Sequence, residues 1–170
     1  MASRRHRTGF THLISLYCNR ISINKIKIGE TEKRKTYRCL IAAPFPTRQW
    51  VDAVRQHFPL TVSLAQRTPE RVEHRRADLI RHRSVTLTSL ETVDKENHFI
   101  LALDAEAGTY IKEFVHGDKA RTTPSLFSVL QPLATMPDDG NGDAAFDITH
   151  LDVTSVRLPW PTHEDILTLP

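Results

Sequence analysis

The 170-residue sequence has only two cysteines, Cys18 and Cys39, too few for a disulfide framework or a four-ligand zinc site. A reduced, intracellular protein without a metal is therefore the expectation. No apolar run approaches the roughly 20 residues a helix needs to cross a bilayer, and no internal period suggests a repeat architecture. Acidic residues are missing from the start: no carboxylate precedes Glu30 and no aspartate precedes Asp52, while Arg4, Arg5, Arg7, Arg20, Lys25 and Lys27 fill the same stretch. An acid-poor, arginine-rich start of this kind fits either an organellar transit segment or a misplaced start codon, and composition does not separate the two. We treat residues 1–20 as a basic extension on that ground.

At 39% hydrophobic residues the remainder is long enough to build one core. Residues 35–43 are rich in strand formers. "PFPTRQWVDAVRQHF" follows with an N-cap candidate in Thr47 and with Trp50, Val51, Val54 and Phe58 at helical spacing. "LTVSL" (60–64) reads as a strand, and "RSVTLTSLETV" (83–93) and "HFILALD" (98–104) flank the polar turn "DKEN", which predicts a hairpin. Phe99, Leu101 and Leu103 alternate with Ile100 and Ala102, so both faces of that second arm are apolar and it is expected at the centre of a sheet. "GTYIKEFVHGD" (108–118) begins like a strand, residues 132–145 read as a loop, and "FDITHLDVTSVRL" closes the pattern as a last strand. The sum is an α+β domain on a mainly antiparallel sheet.

Charge is concentrated in one place. The net charge is +3 with a pI near 9.0, and residues 66–83 alone carry six arginines against three carboxylates. Arg67, Arg71, Arg75, Arg76, Arg81 and Arg83 suit phosphate contact and stacking on bases, and His74 and His82 add donors without fixed charge. The alternative is a solvated strand-turn-strand edge whose arginines pair with Glu70, Glu73 and Asp78. Lys112 stands among Tyr110, Ile111 and Phe114. It either snorkels to solvent or meets an anion, because an unpaired buried ammonium is costly. Tyr37 is open in the same way, as a core-edge residue or a stacking platform.

"KTYRCLI", "QRTPERVEHRRADLIRHRSV", "GTYIKEFVHGDKARTTPSL" and "FDITHLDV", in that order, resemble the catalytic domain of the Pus10-type tRNA pseudouridine synthases of archaea and eukaryotes. The resemblance runs from about Ile21 to Pro161, leaving 162–170 as a tail. It implies a mixed, mainly antiparallel sheet flanked by helices with an RNA cleft across it. It also implies cofactor-free isomerisation of uridine in the T-arm loop of tRNA, the target nucleotide leaving its stack to enter a pocket. By resemblance Tyr37 packs against the target base, Lys112 pairs with the attacking aspartate, and Ile111 and Leu151 line the pocket. His116 and Arg121, in the third matching stretch, join the arginine segment as RNA-binding candidates. A cation beside that carboxylate would keep it ionised against desolvation.

The family's aspartate belongs to a "GRED"-like motif ahead of the "KTY" tyrosine, and no aspartate stands ahead of Tyr37 here. Asp52, Asp104 and Asp118 do not match it. The expectation is the C-terminal part of a synthase domain, with tRNA as partner, no membrane and no small-molecule cofactor. A non-catalytic RNA-binding remnant is the second reading, and a remnant left unstable by a missing neighbouring strand is the third.

Overall fold

The computed structural model describes residues 33–135 and 146–157. The basic extension, the larger part of the 132–145 loop and the tail lie outside them. Six strands form one sheet: β1 (Lys35–Ala42), β2 (Leu60–Arg67), β3 (Ile80–Thr92), β4 (His98–Ala105), β5 (Thr122–Thr123) and β6 (Asp147–Val156). Three short helices accompany them: α1 (Arg48–Val54), α2 (Ile111–His116) and α3 (Leu126–Leu130). The strand order is β5-β2-β3-β4-β1-β6, and every pairing between described strands is antiparallel. The mixed sheet expected from the resemblance is thus antiparallel throughout the described residues.

The hairpin around "DKEN" forms as expected, and β4 sits between β3 and β1. One face of β4 carries Phe99, Leu101, Leu103 and Ala105, all buried, opposite Ile41, Cys39, Tyr37 and Lys35 of β1. The three helices contribute Trp50, Val51, Val54, Ile111, Phe114, Val115, Leu126 and Leu130 to the same buried cluster. The expected flanking helices thus lie on one face of the sheet among the described residues. Trp50, Phe45, Phe99 and Phe146 pack at ring-centroid separations of 5.4–6.1 Å, the tilted and edge-on arrangements that aromatic quadrupoles favour.

Helix α1 forms where the spacing predicts, but Thr47 does not cap it. Its hydroxyl donates instead to the carbonyls of Glu96 and His98, at 3.0 and 2.7 Å, and so ties the helix entry to the β3–β4 turn. Strand β2 runs three residues past the predicted Leu64, to Arg67, and β3 begins at Ile80, three residues ahead of Arg83. Between them Glu70–Arg75 makes a 3₁₀ turn. The arginine segment is therefore the closed end of a β2–β3 hairpin, hydrogen-bonded along its neck.

The opposite face of the sheet is more polar. Arg34, just ahead of β1, pairs with the buried Asp104 carboxylate and donates from Nη2 to the Asp104 carbonyl at 3.1 Å. Arg157, just beyond β6, approaches the other Asp104 oxygen at 3.6 Å. One carboxylate thus joins the ends of three neighbouring strands.

Candidate functional site

The segment expected to continue as a strand from Gly108 turns instead into a helix. Gly108 takes a left-handed φ of 78°, Thr109 closes a turn by donating its hydroxyl to the Glu106 carbonyl at 2.7 Å, and α2 runs from Ile111 to His116. Ile111, Phe114 and Val115 fall at helical spacing and all enter the core. Burial of that stripe outweighs the strand preference of Thr109, Tyr110 and Ile111. Gly117, at φ 80°, ends the helix, its N–H reaching the Glu113 carbonyl at 2.8 Å.

Gln66 fixes the approach to this helix. Its fully buried side chain donates from Nε2 to the Tyr110 carbonyl and accepts at Oε1 from the Tyr110 N–H, both at 3.0 Å. An amide side chain thereby does for Tyr110 what a neighbouring strand would do. Lys112 is on the exposed side of α2 and makes no ion pair among the described residues. It reaches solvent, and it does so from a helix and not from the strand expected of this segment.

Tyr37 and Leu151 lie on the helix-covered face of adjacent strands. Tyr37 pairs in register with Val153 and Cys39 with Leu151, which makes Tyr37 and Leu151 diagonal neighbours. Both are half-buried and pack against the core cluster that contains Ile111, and α2 packs against β6. A β-bulge separates Thr36 from Tyr37, a second separates Leu40 from Ile41, and the extra residues Thr154 and Thr149 donate their hydroxyls to the Thr36 and Leu40 carbonyls at 3.2 and 3.1 Å. Bulges of this kind bend a strand and re-aim its side chains. Partial burial, with a smaller contribution from Cys39, raises the Tyr37 phenol above its ordinary value. Tyr37 is thus a neutral ring at physiological pH, suited to packing.

The arginines of the hairpin end sort into two groups. Arg67 binds Asp78 through Nε at 2.8 and 3.0 Å, which holds the Asp78 carboxyl below its usual range. Arg71 donates from Nε to Glu113 Oε1 at 2.6 Å and lies 5.8 Å from the centroid of the Tyr110 ring. Glu70 is held instead by Lys119, at 2.8 Å, and Glu73 by Arg121, at 3.0 Å. The expected pairing of the local arginines with Glu70, Glu73 and Asp78 therefore holds for Asp78 alone. Arg75, Arg76, Arg81 and Arg83 make no ion pair among the described residues. Arg76 donates to the Tyr110 hydroxyl at 3.1 Å, Arg81 to Thr68 Oγ1 at 3.1 Å, and Arg83 to the His82 carbonyl at 2.8 Å. Arg83 also flanks Gly108, where an added Cβ would stand 3.6 Å from its guanidinium. His74 and His82 are exposed, and His116 accepts at Nδ1 from the Asp118 N–H at 3.0 Å.

The three aspartates weighed in the sequence are engaged elsewhere in the fold. Asp52 is exposed on α1 and paired with Arg55 at 3.2 Å, Asp104 is tied to Arg34 and Arg157 on the far face, and Asp118 belongs to the turn after α2. That turn carries three non-glycine residues in the left-handed region, Asp118, Lys119 and Ala120, at φ 46°, 54° and 67°. Among the described residues no three His, Cys, Asp or Glu side chains gather as a metal ion would require.

Residues 7–157 match the family described as "Pus10, C-terminal". The chain belongs to that family. "tRNA pseudouridine synthase Pus10" of Xenopus laevis is 38% identical over 154 residues, covering 86% of this chain and 26% of the relative. The human protein of the same name is 38% identical over 149 residues, covering 84% and 24%. The Methanocaldococcus jannaschii protein of that name is 37% identical over 107 residues, covering 63% and 23%. The chain thus spans about a quarter of the length of these Pus10 relatives. The solved "Crystal Structure of a Cbf5-Nop10-Gar1 Complex" is similar over 79% of this chain and 33% of its own, at 17% identity and a TM-score of 0.46, too slight a likeness to bear on the argument.

Two residues of this Pus10 C-terminal chain escaped sequence reasoning. Glu113 is buried beside Lys112 and holds Arg71, and Gln66 holds Tyr110. Gln66 had no local signal. Glu113 had no local signal either, since its partner Arg71 lies 42 positions away.

Proposed function

We propose that this chain forms the substrate-holding portion of a tRNA pseudouridine synthase. Tyr37 packs against the target uridine, Ile111 and Leu151 line its pocket, and Lys112 faces the attacking carboxylate. The observation that carries the reading is the pairing of two features on one side of the sheet. A half-buried, neutral Tyr37 and Leu151 lie on the sheet face that the helices cover, and α2, which packs against β6, exposes a lysine that no described carboxylate neutralises. The names of the relatives supply the reaction class.

In that reaction the carboxylate attacks the uridine and the glycosidic bond breaks. The base turns, carbon 5 bonds to the sugar as the bond to the carboxylate breaks, and the proton on carbon 5 passes to water. Lys112 lowers the cost of keeping a carboxylate ionised in a partly dry pocket and offsets charge on the departing base. The attacking acid is proposed to come from polypeptide outside these 170 residues, since the resemblance places it ahead of Tyr37, where no aspartate stands, and Asp52, Asp104 and Asp118 do not match it. Arg75, Arg76, Arg81, Arg83, His74, His82 and His116 form the phosphate-facing surface. Arg67, Arg71 and Arg121 act first as structural ties, because their charges are already matched. The T-arm loop of tRNA is the proposed substrate.

The test uses tRNA transcribed with tritium on carbon 5 of uridine. The complete gene product is expected to release tritium as the new carbon–carbon bond forms, and the 170-residue chain alone to bind the tRNA with salt-sensitive affinity and release none. Binding without release by the complete product would support a non-catalytic RNA-binding role instead. Absence of both would overturn the proposal.

A further inference from the structure

Leu79 and Ile80 are 52% and 65% exposed, among the few large apolar side chains that the described residues leave in water. They sit at the neck of the β2–β3 hairpin end, beside Arg75, Arg76 and Arg81, which have no acidic partner among the described residues. Their exposure is not the result of a loose backbone. The fully buried Thr68 binds the Leu79 carbonyl through its N–H at 3.0 Å, and its Oγ1 accepts from the Leu79 N–H at 3.1 Å. The same hydroxyl donates to the Ala77 carbonyl at 2.7 Å and receives Arg81 Nη1 at 3.1 Å. Ile80 pairs in register with Arg67. One threonine thus satisfies both polar groups of the Leu79 backbone and holds two aliphatic side chains outward on a fixed frame.

Consecutive residues of a paired, extended segment project to opposite faces, so each face of the hairpin end holds out one aliphatic side chain on a rigid frame, and together they make a contact surface. The charge around it selects the occupant, which must offer apolar faces and an anionic backbone together. RNA with unstacked bases has both, and aliphatic side chains commonly pack against or between base steps while arginines hold the flanking phosphates. We propose that Leu79 and Ile80 pack against unstacked bases of the bound tRNA, with Arg75, Arg76 and Arg81 on the neighbouring phosphates. The inference rests on the RNA-binding reading above and adds to it a contact that reads bases by apolar packing.

The experiment measures tRNA affinity of the 170-residue chain by fluorescence anisotropy across a potassium chloride series. Melting curves verify that each variant is folded. The double variant Leu79→Ser/Ile80→Ser is expected to bind about tenfold more weakly or worse, because partial burial of two aliphatic side chains is lost. Its dependence of log K on log salt should be unchanged, since no phosphate contact is removed. Leu79→Met/Ile80→Met should keep wild-type affinity. Arg75→Ala/Arg76→Ala should reduce the salt slope by about 1.4 to 1.8, at roughly 0.7 to 0.9 per phosphate. Wild-type affinity in the serine variant would overturn the base contact while leaving the RNA-binding reading intact. So would an unchanged affinity accompanied by loss of self-association, which would assign the pair to a protein surface. A wild-type chain without salt-dependent tRNA binding would overturn both.

Discussion

Replacing Arg71 by alanine tests the tie between the arginine-bearing hairpin end and the helix that carries Lys112. The Glu113 side chain is 4% exposed and that of Arg71 60% exposed, and their Nε to Oε1 bond is 2.6 Å long. The other oxygen, Glu113 Oε2, is buried with no partner among the described residues. Arg71→Ala therefore leaves a buried carboxylate without its described hydrogen bond. Breaking a fully buried ion pair costs about 3 to 5 kcal/mol, and a hydrogen bond to a charged group contributes about 1.5 to 3 kcal/mol. Arg71 is mostly in water, so solvent screens the pair and enters the vacated site. The lower part of the range applies, about 2 kcal/mol, or a fall in Tm of about 4 to 8 °C for a chain of this size. Urea unfolding of the wild type, Arg71→Ala, Glu113→Gln and the double variant closes a cycle. Glu113→Gln should recover about 1 kcal/mol in the alanine background, because it removes the stranded charge, and the cycle should show a coupling of about 1 to 2 kcal/mol. Arg75→Ala, an exposed control, should stay within about 0.5 kcal/mol. If Arg71→Ala is indistinguishable from Arg75→Ala, or if the two single effects simply add, the hairpin end is not anchored to α2 through this contact.

Three further outcomes follow from individual residues. Ala120→Gly relieves a φ of 67°, a conformation that costs an L-residue about 1 to 2 kcal/mol, less the backbone entropy of glycine. A gain of about 0.5 to 1 kcal/mol in urea unfolding is expected, and any loss would contradict the left-handed turn. Cys39 is fully buried, and that burial, aided by Asp152, pushes its thiol up to about 12. Mass spectrometry should find Cys39 unmodified by a maleimide at about pH 8 in the native protein and modified in urea, because the thiolate is the reactive form; equal modification in both conditions would refute the burial. His98 is pushed below its ordinary value by burial and, secondarily, by Lys95. Its folded form takes a proton less readily than the unfolded chain, so stability is held above the unfolded value of about 6.5 and is lost as pH falls through the folded one. His98→Gln should lose less stability than the wild type between about pH 7.5 and pH 5.5, and equal losses would exclude the effect.

The legible parts of the fold were those that local chemistry decides. "DKEN" between two runs of strand formers gives the β3–β4 hairpin, the two apolar faces of β4 place it centrally, and Trp50, Val51 and Val54 give α1. Helix α2 was misread because Thr109, Tyr110 and Ile111 carry strand propensity, whereas the stripe of Ile111, Phe114 and Val115 and the clamp from Gln66 are tertiary effects. The length of β2 was missed for a related reason: Gln66 looks like the polar end of a strand, yet its amide is satisfied inside the protein. Tyr37, Lys112 and Leu151 became site candidates through family resemblance, since a tyrosine or lysine in an apolar context has several ordinary explanations. The Arg71–Glu113 bond joins residues 42 positions apart, and the partners of Glu70 and Glu73 lie beyond α2. Patterns within one segment carry no trace of such pairings.

A Lys112 that faces the acid attacking uridine governs single-turnover tritium release by the complete gene product, and the deciding variant replaces Lys112 by alanine. An exposed lysine that is unpaired among the described residues contributes about 0.5 kcal/mol or less to folding, so the melting temperature and tRNA affinity should stay near wild type. The rate of release should fall by about a hundredfold or more, the loss expected when one charge that stabilises a transition state is removed. Wild-type turnover in the folded, tRNA-binding alanine variant would contradict the account.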